Sequence, residues 1–275
     1  MTAFTPPSDA SAKPNPVTAF LETHRFALRR LHSLMGVVFG GYIVVHLLVN
    51  ATLLQSAFPG IFGGDKVPAD VYQSQVDKIH DLPFLVAIEW TAILIPLTFH
   101  AGYGILVAIA GRPNVTSYGF AKNWAYTAQR ATSWVLLLFI AFHVLTMKGI
   151  IGGEFGDRVT FIPALATQTT VNHMHAAWWV GWVIYPIGIL AATFHLSNGF
   201  WTAGITWGLT ITAQSQKLWG LACAGLFIFT TACGLGSLGA TLAAEPDFDG
   251  ITEVIQGERT YEEYRSATTP SSYGE

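Results

Sequence analysis

The chain has 275 residues, of which 51% are hydrophobic and only 11% charged, and its net charge is −3. Ordinary soluble domains carry about a quarter charged residues, so this composition excludes one and reads as a membrane protein. Without a strongly basic balance, nothing supports a nucleic-acid partner.

Residues 1–30 contain Pro, Ser and Thr and then become basic, with no apolar core before a small-residue cleavage site, so they read as a tail and not as a cleaved signal peptide. The Arg29-Arg30 pair is followed by a run long enough to span and by further spans, which argues against a twin-arginine signal. No Asp, Glu, Lys or Arg occurs from Leu31 to Gly64, Ala131 to Met147, Val159 to Gln216 or Leu218 to Ala244, and Leu82 to Gly111 carries only Glu89. A hydrocarbon core of about 30 Å takes roughly 20 helical residues. The long third gap therefore holds one span with polar flanks, and five spans are predicted near 32–55, 83–110, 130–150, 176–200 and 218–241. From Ala243 the chain holds eight acids and two bases and is expected to be mobile and solvated, with no chemistry of its own.

Lys13, Arg25, Arg29, Arg30, Arg112, Lys122, Arg130 and Lys217 fall on one side of this layout, against Lys66, Lys78, Lys148 and Arg158 on the other. The positive-inside rule puts the N-terminus in the cytoplasm and the acidic tail outside. The expected organisation is a cytoplasmic tail (1–30), a transmembrane domain (31–242) and an outer acidic tail (243–275).

Cys223 and Cys233 lie ten apart on one predicted helix, roughly 15 Å by helical rise and too far to bridge. There is no CxxCH for covalent haem and no cysteine cluster for an iron–sulfur centre. The nine histidines are more informative. His24, His80, His173 and His175 fall in the tail and loops and read as polar residues at a wet interface. His46, His100, His143 and His195 each sit among apolar residues in a different span, where a polar side chain is costly and usually faces a cavity, a cofactor or an ion path.

Depth sorts the four. His46 and His143 each come 13 residues after Ser33 and Arg130 on outward-running spans, roughly 20 Å up. His100 comes 17 residues after Pro83 and His195 19 after Ala176 on inward-running spans, roughly 25 to 28 Å down. An outer pair, His46 with His143, and an inner pair, His100 with His195, have the geometry for two stacked bis-histidine haems b. Two imidazoles at each depth fall short of a tetrahedral zinc shell, and two axial imidazoles leave an iron suited to electron transfer. Pro96 and Pro186 each remove a helical hydrogen bond and can kink their spans around a macrocycle. Gly36 and Gly40 on span one, and Ala232, Gly236 and Ala240 on span five, have the small-residue spacing of close helix packing, with haem contact a second role at span one.

"RRLHSLMGV", "HLLVN", "LPFLVAIE", "PLTFHAGYG", "NWAYTAQRAT", "FHLSNGFW" and "TWGLTIT" with a following "SQ" resemble, in order, the di-haem cytochrome b anchor subunit of succinate:menaquinone oxidoreductases and fumarate reductases, from about Arg29 to Gln216. The resemblance implies an all-α five-helix membrane bundle enclosing two haems b in a bacterial cytoplasmic membrane, with axial ligands at His46, His143, His100 and His195. It implies a flavoprotein with FAD and an iron–sulfur protein as cytoplasmic partners, and a membrane quinone, menaquinone in the named family. Ala213-Gln214 stand where family members often carry a Pro-Arg pair, and the first outer loop, Gln55 to Leu82, and the acidic tail look long. Arg29, Arg30, His32 and Ser33 lie at the depth of inner-haem propionates and are candidate propionate or quinone contacts. Glu89, the one acid in a span, is 11 residues from His100, which on a regular helix puts both on nearly one face. It is expected to point into the bundle near the outer pair as a proton carrier for quinone chemistry. The cytochrome b subunit of a hydrogenase, formate dehydrogenase or nitrate reductase is the alternative within redox chemistry, and a haem-free anchor or transporter the alternative outside it.

Overall fold

The computed structural model describes residues 16–56, 68–113 and 115–268, and among them every regular element is helical. The first half holds α1 (Pro16–Thr23), α2 (Arg25–Ala51), α3 (Pro68–His80), α4 (Leu85–Ile88), α5 (Ile95–Ala110) and α6 (Ala121–Met147). The second half holds α7 (Ala166–His175), α8 (Tyr185–Thr206), α9 (Ala213–Ala243), α10 (Phe248–Ile255) and α11 (Tyr261–Thr268). Five stretches are long and apolar enough to cross a bilayer: Arg25–Leu54, Leu85–Ala110, Ala121–Met147, Val180–Thr206 and Ala213–Ala243. These are the five expected spans, but the first and third begin earlier than the charge gaps suggest. Arg25, Arg29, Arg30, Lys122 and Arg130 lie inside the helices, because Lys and Arg are good helix formers whose long stems let the charge reach the membrane surface. The expected boundary at residue 30 therefore falls within α2.

One end of the bundle carries these cations and is called the basic end; the other carries the long loops and the acidic tail. α2 packs on α5 and α9, α8 packs on α6 and α9, and α2 also touches α8. Within lipid there is little hydrophobic force between helices, so close approach at small residues holds them together. Gly40 shows this: a Cβ there would lie 2.7 Å from Leu196 Cδ1 on α8. Hydroxyls in the spans have no water and turn to carbonyls one turn back, as Thr193 does to Ile189 at 2.9 Å and Thr230 to Leu226 at 2.7 Å. Thr193 also meets Thr231 of α9 at 2.8 Å. The "TITAQSQ" stretch is a helix start: Thr212 caps α9 by accepting from the Ser215 backbone N–H at 3.1 Å.

The second and fourth spans share a device. Each has a π-helical segment near its start, Glu89–Leu94 after α4 and Val180–Ile184, and each returns to α-helix at a segment with proline in its second position, Pro96 and Pro186. Proline has no N–H for the carbonyl four residues back, and a π-turn, whose bonds run five residues, accommodates that loss. The extra residue also rotates everything on its far side by about a quarter turn.

At the acidic end the structure differs from the expectation of a mobile, solvated tail. α10 and α11 fold back on the loops, with Ile251 fully buried and Tyr264 only 2% exposed beside Leu165 and Val254. Asn172 of α7 donates to the Asp247 carbonyl at 2.9 Å and accepts from the Asp247 N–H at 2.8 Å. The Tyr264 hydroxyl donates to the Asp247 carboxylate at 2.8 Å, and Arg265 reaches Asp77 of α3 at 3.1 Å. Phe248, Ile251 and Val254 recur every third residue and give α10 an apolar stripe. Net charge concealed this amphipathic pattern. Residues 57–67 of the first long loop lie outside the described residues.

Candidate functional site

His46, His100, His143 and His195 come from α2, α5, α6 and α8, one each. The structure brings them together as two pairs at opposite levels. The His46 and His143 ring centroids are 6.1 Å apart with planes at 73°, and those of His100 and His195 are 6.2 Å apart at 89°.

Hydrogen bonds orient three of the four rings. His100 Nδ1–H donates to the His32 carbonyl at 3.0 Å. His195 Nδ1 lies 3.3 Å from Thr132 Oγ1, whose own proton goes to the Ala128 carbonyl, so the hydroxyl accepts from the imidazole. His143 Nδ1 lies 2.9 Å from the Tyr185 hydroxyl. In each case Nδ1 is engaged and Nε2 is the nitrogen left for a metal, the arrangement by which outer partners fix the tautomer and direction of a ligand imidazole. Gln129 completes the frame around the basic-end pair by donating to the His195 carbonyl at 3.1 Å while accepting from Asn198 at 2.7 Å.

Separation tests whether an iron fits. A ligand nitrogen sits about 2 Å from a transition metal with its ring centroid roughly 1 Å beyond, so two imidazoles trans on one ion have centroids about 6 Å apart. Both pairs match. Among the described residues there is no group of three or more His, Cys, Asp and Glu side chains placed to share a metal, so the donor set suits a macrocycle that supplies its own four nitrogens and not a tetrahedral shell. Gly36 shows how closely the basic-end pair is seated: a Cβ there would lie 2.5 Å from His100 Cε1.

His32, expected at the surface as a propionate or quinone contact, stacks flat on His100, with centroids 4.1 Å apart and planes at 7°. Arg30 lies over the Trp207 ring at 4.8 Å, and the Trp207 indole N–H donates to Ser33 Oγ at 3.0 Å, so Arg30 and Ser33 tie α2 to the end of α8. Arg29 is exposed. Glu89 is also exposed and begins the π-helical segment. The 100° count that put it on the His100 face fails across that segment, because the extra residue turns it away. It lies instead within electrostatic range of Tyr42 on α2, whose ring is 5.7 Å from that of His46.

One of the loop histidines, His173, is not at a wet interface. His173 is fully buried, donates from Nδ1 to the Val159 carbonyl at 3.2 Å and packs 5.8 Å from the Tyr185 ring. Burial holds its pKa down at about 4, against a smaller upward pull from the Val159 bond. His175 donates from Nε2 to the Thr241 carbonyl at 3.2 Å. The contributions of Tyr185, Thr132 and Gln129 escaped sequence reading, since each lies more than 40 residues from the histidine it serves. Gln129 and Thr132 do lie within "NWAYTAQRAT", which marks the stretch without stating what it holds.

The fold and site define a class: five-span helical membrane proteins in which four helices each give one histidine to a pair at one of two levels. No protein-family model matches the chain. Over 194 residues it is 34% identical to the succinate dehydrogenase cytochrome b558 subunit of Bacillus subtilis (strain 168), a match covering 70% of this chain and 85% of that protein. The chain belongs to the family of succinate dehydrogenase cytochrome b subunits.

Proposed function

We propose that this chain is the membrane anchor and electron-transfer subunit of a succinate:quinone oxidoreductase, holding one haem b between His46 and His143 and a second between His100 and His195. The observation that carries this reading is the pair of centroid separations, 6.1 and 6.2 Å, at two levels of one bundle. Bound haem would supply one-electron carriage at both levels, linking a cytoplasmic iron–sulfur partner to a membrane quinone, menaquinone in this reading. The chain's own residues place and insulate that chemistry. His100, His143 and His195 present Nε2, their Nδ1 partners fix the tautomer and ring direction, and the apolar spans exclude water.

The excess of basic residues argues for the basic end in the cytoplasm, where the flavoprotein and iron–sulfur subunits would dock, and for the folded cap formed by residues 243–268 outside. Arg29, Arg30 and Ser33 lie at that cytoplasmic end and could meet haem propionates by charge-assisted hydrogen bonds. His32 acts through its stack on His100. Glu89, near Tyr42 at the other level, would carry protons to a quinone reduced there. The test is a reduced-minus-oxidised spectrum of the purified complex. Two haems b per chain, together with FAD and iron–sulfur signals from the partners, are expected; flavin and iron–sulfur signals without haem bands would return the chain to a pure anchor.

A further inference from the structure

We propose that Tyr185 is the positioning residue of the acidic-end histidine pair, setting through its hydroxyl both the direction of the His143 ring and the donor strength of its Nε2. The proposal rests on the bis-histidine haem reading given above. Its starting point is an asymmetry. At the basic end the acceptors for Nδ1 are a backbone carbonyl, that of His32, and a threonine hydroxyl, Thr132. At the acidic end the acceptor is a phenol, and its 2.9 Å contact with His143 is the shortest of the three.

Tyr185 has little freedom to do anything else. It is 6% exposed and boxed by aromatic rings: Phe139 at 5.4 Å and 88°, His143 at 5.8 Å and 75°, His173 at 5.8 Å and 75°. Phe139 reaches this position because Gly188, one turn further along α8, has no side chain; a Cβ there would collide with the Phe139 ring. The backbone aims the phenol as well. Tyr185 is the first α-helical residue after the π-segment Val180–Ile184, so the extra residue of that segment sets the angle between the helix start at the acidic end and the rest of α8. Without it, residues before the segment would turn by about 100° relative to Tyr185, and His173 and Tyr185 could not both keep their present neighbours.

The consequence for a bound iron follows from the direction of the bond. With Nε2 on the metal, Nδ1 keeps its proton and donates a hydrogen bond to the phenol oxygen. That hydrogen bond makes the imidazole a better donor, which favours the oxidised iron and lowers the midpoint potential. Replacement by phenylalanine keeps the ring and its packing and removes only the acceptor.

The experiment is a potentiometric titration of the haem spectrum in the assembled complex, comparing the unaltered protein with Tyr185→Phe and Thr132→Val. Tyr185→Phe is expected to retain both haems and raise one midpoint, leaving the other in place; Thr132→Val is expected to move the other. No shift in Tyr185→Phe, or equal shifts of both midpoints, would overturn the proposal. If Tyr185→Phe loses a haem, the infrared redox-difference spectrum of a Tyr42→Phe complex with ring-labelled tyrosine decides, since among the described residues Tyr42 is the other tyrosine packed on one of the four histidines. A labelled band following a single midpoint supports the assignment, and none overturns it. An unaltered complex with no haem at all sinks the functional reading along with the proposal, and is recognised before any variant is compared.

Discussion

The two histidine pairs have nearly the same internal geometry and different surroundings. At the basic end His100 is held by main chain and by stacking: the His32 carbonyl takes its proton, the His32 ring lies flat on it, and Gly36 leaves room for it. At the acidic end His143 is held by a side chain, Tyr185, and behind it lies a folded layer of loops containing His173, α7 and the helices of the tail. The lesson is that equal ligand spacing does not make equal sites. A carbonyl acceptor is part of the helix backbone and can be removed only by moving α2, whereas a phenol acceptor can be altered by one substitution. At the basic end only the Thr132 acceptor of His195 can be altered in that way.

Ligand removal would break the comparison most sharply. His100→Ala should eliminate the basic-end haem and with it roughly half of the haem absorbance, and His143→Ala should eliminate the other; His80→Ala and His175→Ala should leave both, as counted by pyridine-haem assay. Loss of both haems from either ligand variant would mean that the two levels are not independent. Next in size is Glu89→Gln, which should keep both haems while slowing quinone turnover about 100-fold, the usual range for losing a proton-transfer group. Activity with a soluble dye acceptor should survive, and unchanged quinone turnover would remove Glu89 from the chemistry.

Smaller effects sharpen the contrast. Gly36→Ala places a Cβ 2.5 Å from His100 Cε1, an overpacking that costs about 1–3 kcal/mol. It should loosen or shift only the basic-end haem, read as a change in one of two low-spin resonance signals. The acidic end should instead respond to pH through His173. Its folded pKa of about 4 lies below the ordinary 6.5, so the unfolded chain binds a proton first as pH falls. The stability from keeping it neutral is complete above 6.5 and is lost progressively down to about 4, an effect of about 3 kcal/mol if the whole shift is realised. Hydrogen-exchange protection factors in α7 and α10, corrected for the intrinsic exchange rate, should fall as pH drops across that window, and this fall should be absent in His173→Gln, with no matching change at the basic end.

Much of this molecule is legible along the chain. The five spans follow from gaps between charges, because an apolar run of about 20 residues in lipid satisfies its backbone bonds within itself as a helix, and helical rise converts residue counts into depth. That is why His46, His100, His143 and His195 could be sorted into pairs before any coordinates. The regular-helix count failed at Glu89, where a π-segment inserts a residue that no hydropathy pattern marks. Charge counting failed at the tail, where three apolar residues on one face of α10 decided its fate. The acceptors for the paired histidines were also out of reach: Tyr185 and His143 are 42 residues apart, on α8 and α6. Sequence by itself determined how deep each histidine lies, since depth is a property of one helix in a layered solvent. Which groups meet at that depth was decided only by the tertiary structure, since a hydrogen bond between helices depends on their rotation and separation, and these are set by small-residue contacts and π-turns summed over the whole bundle.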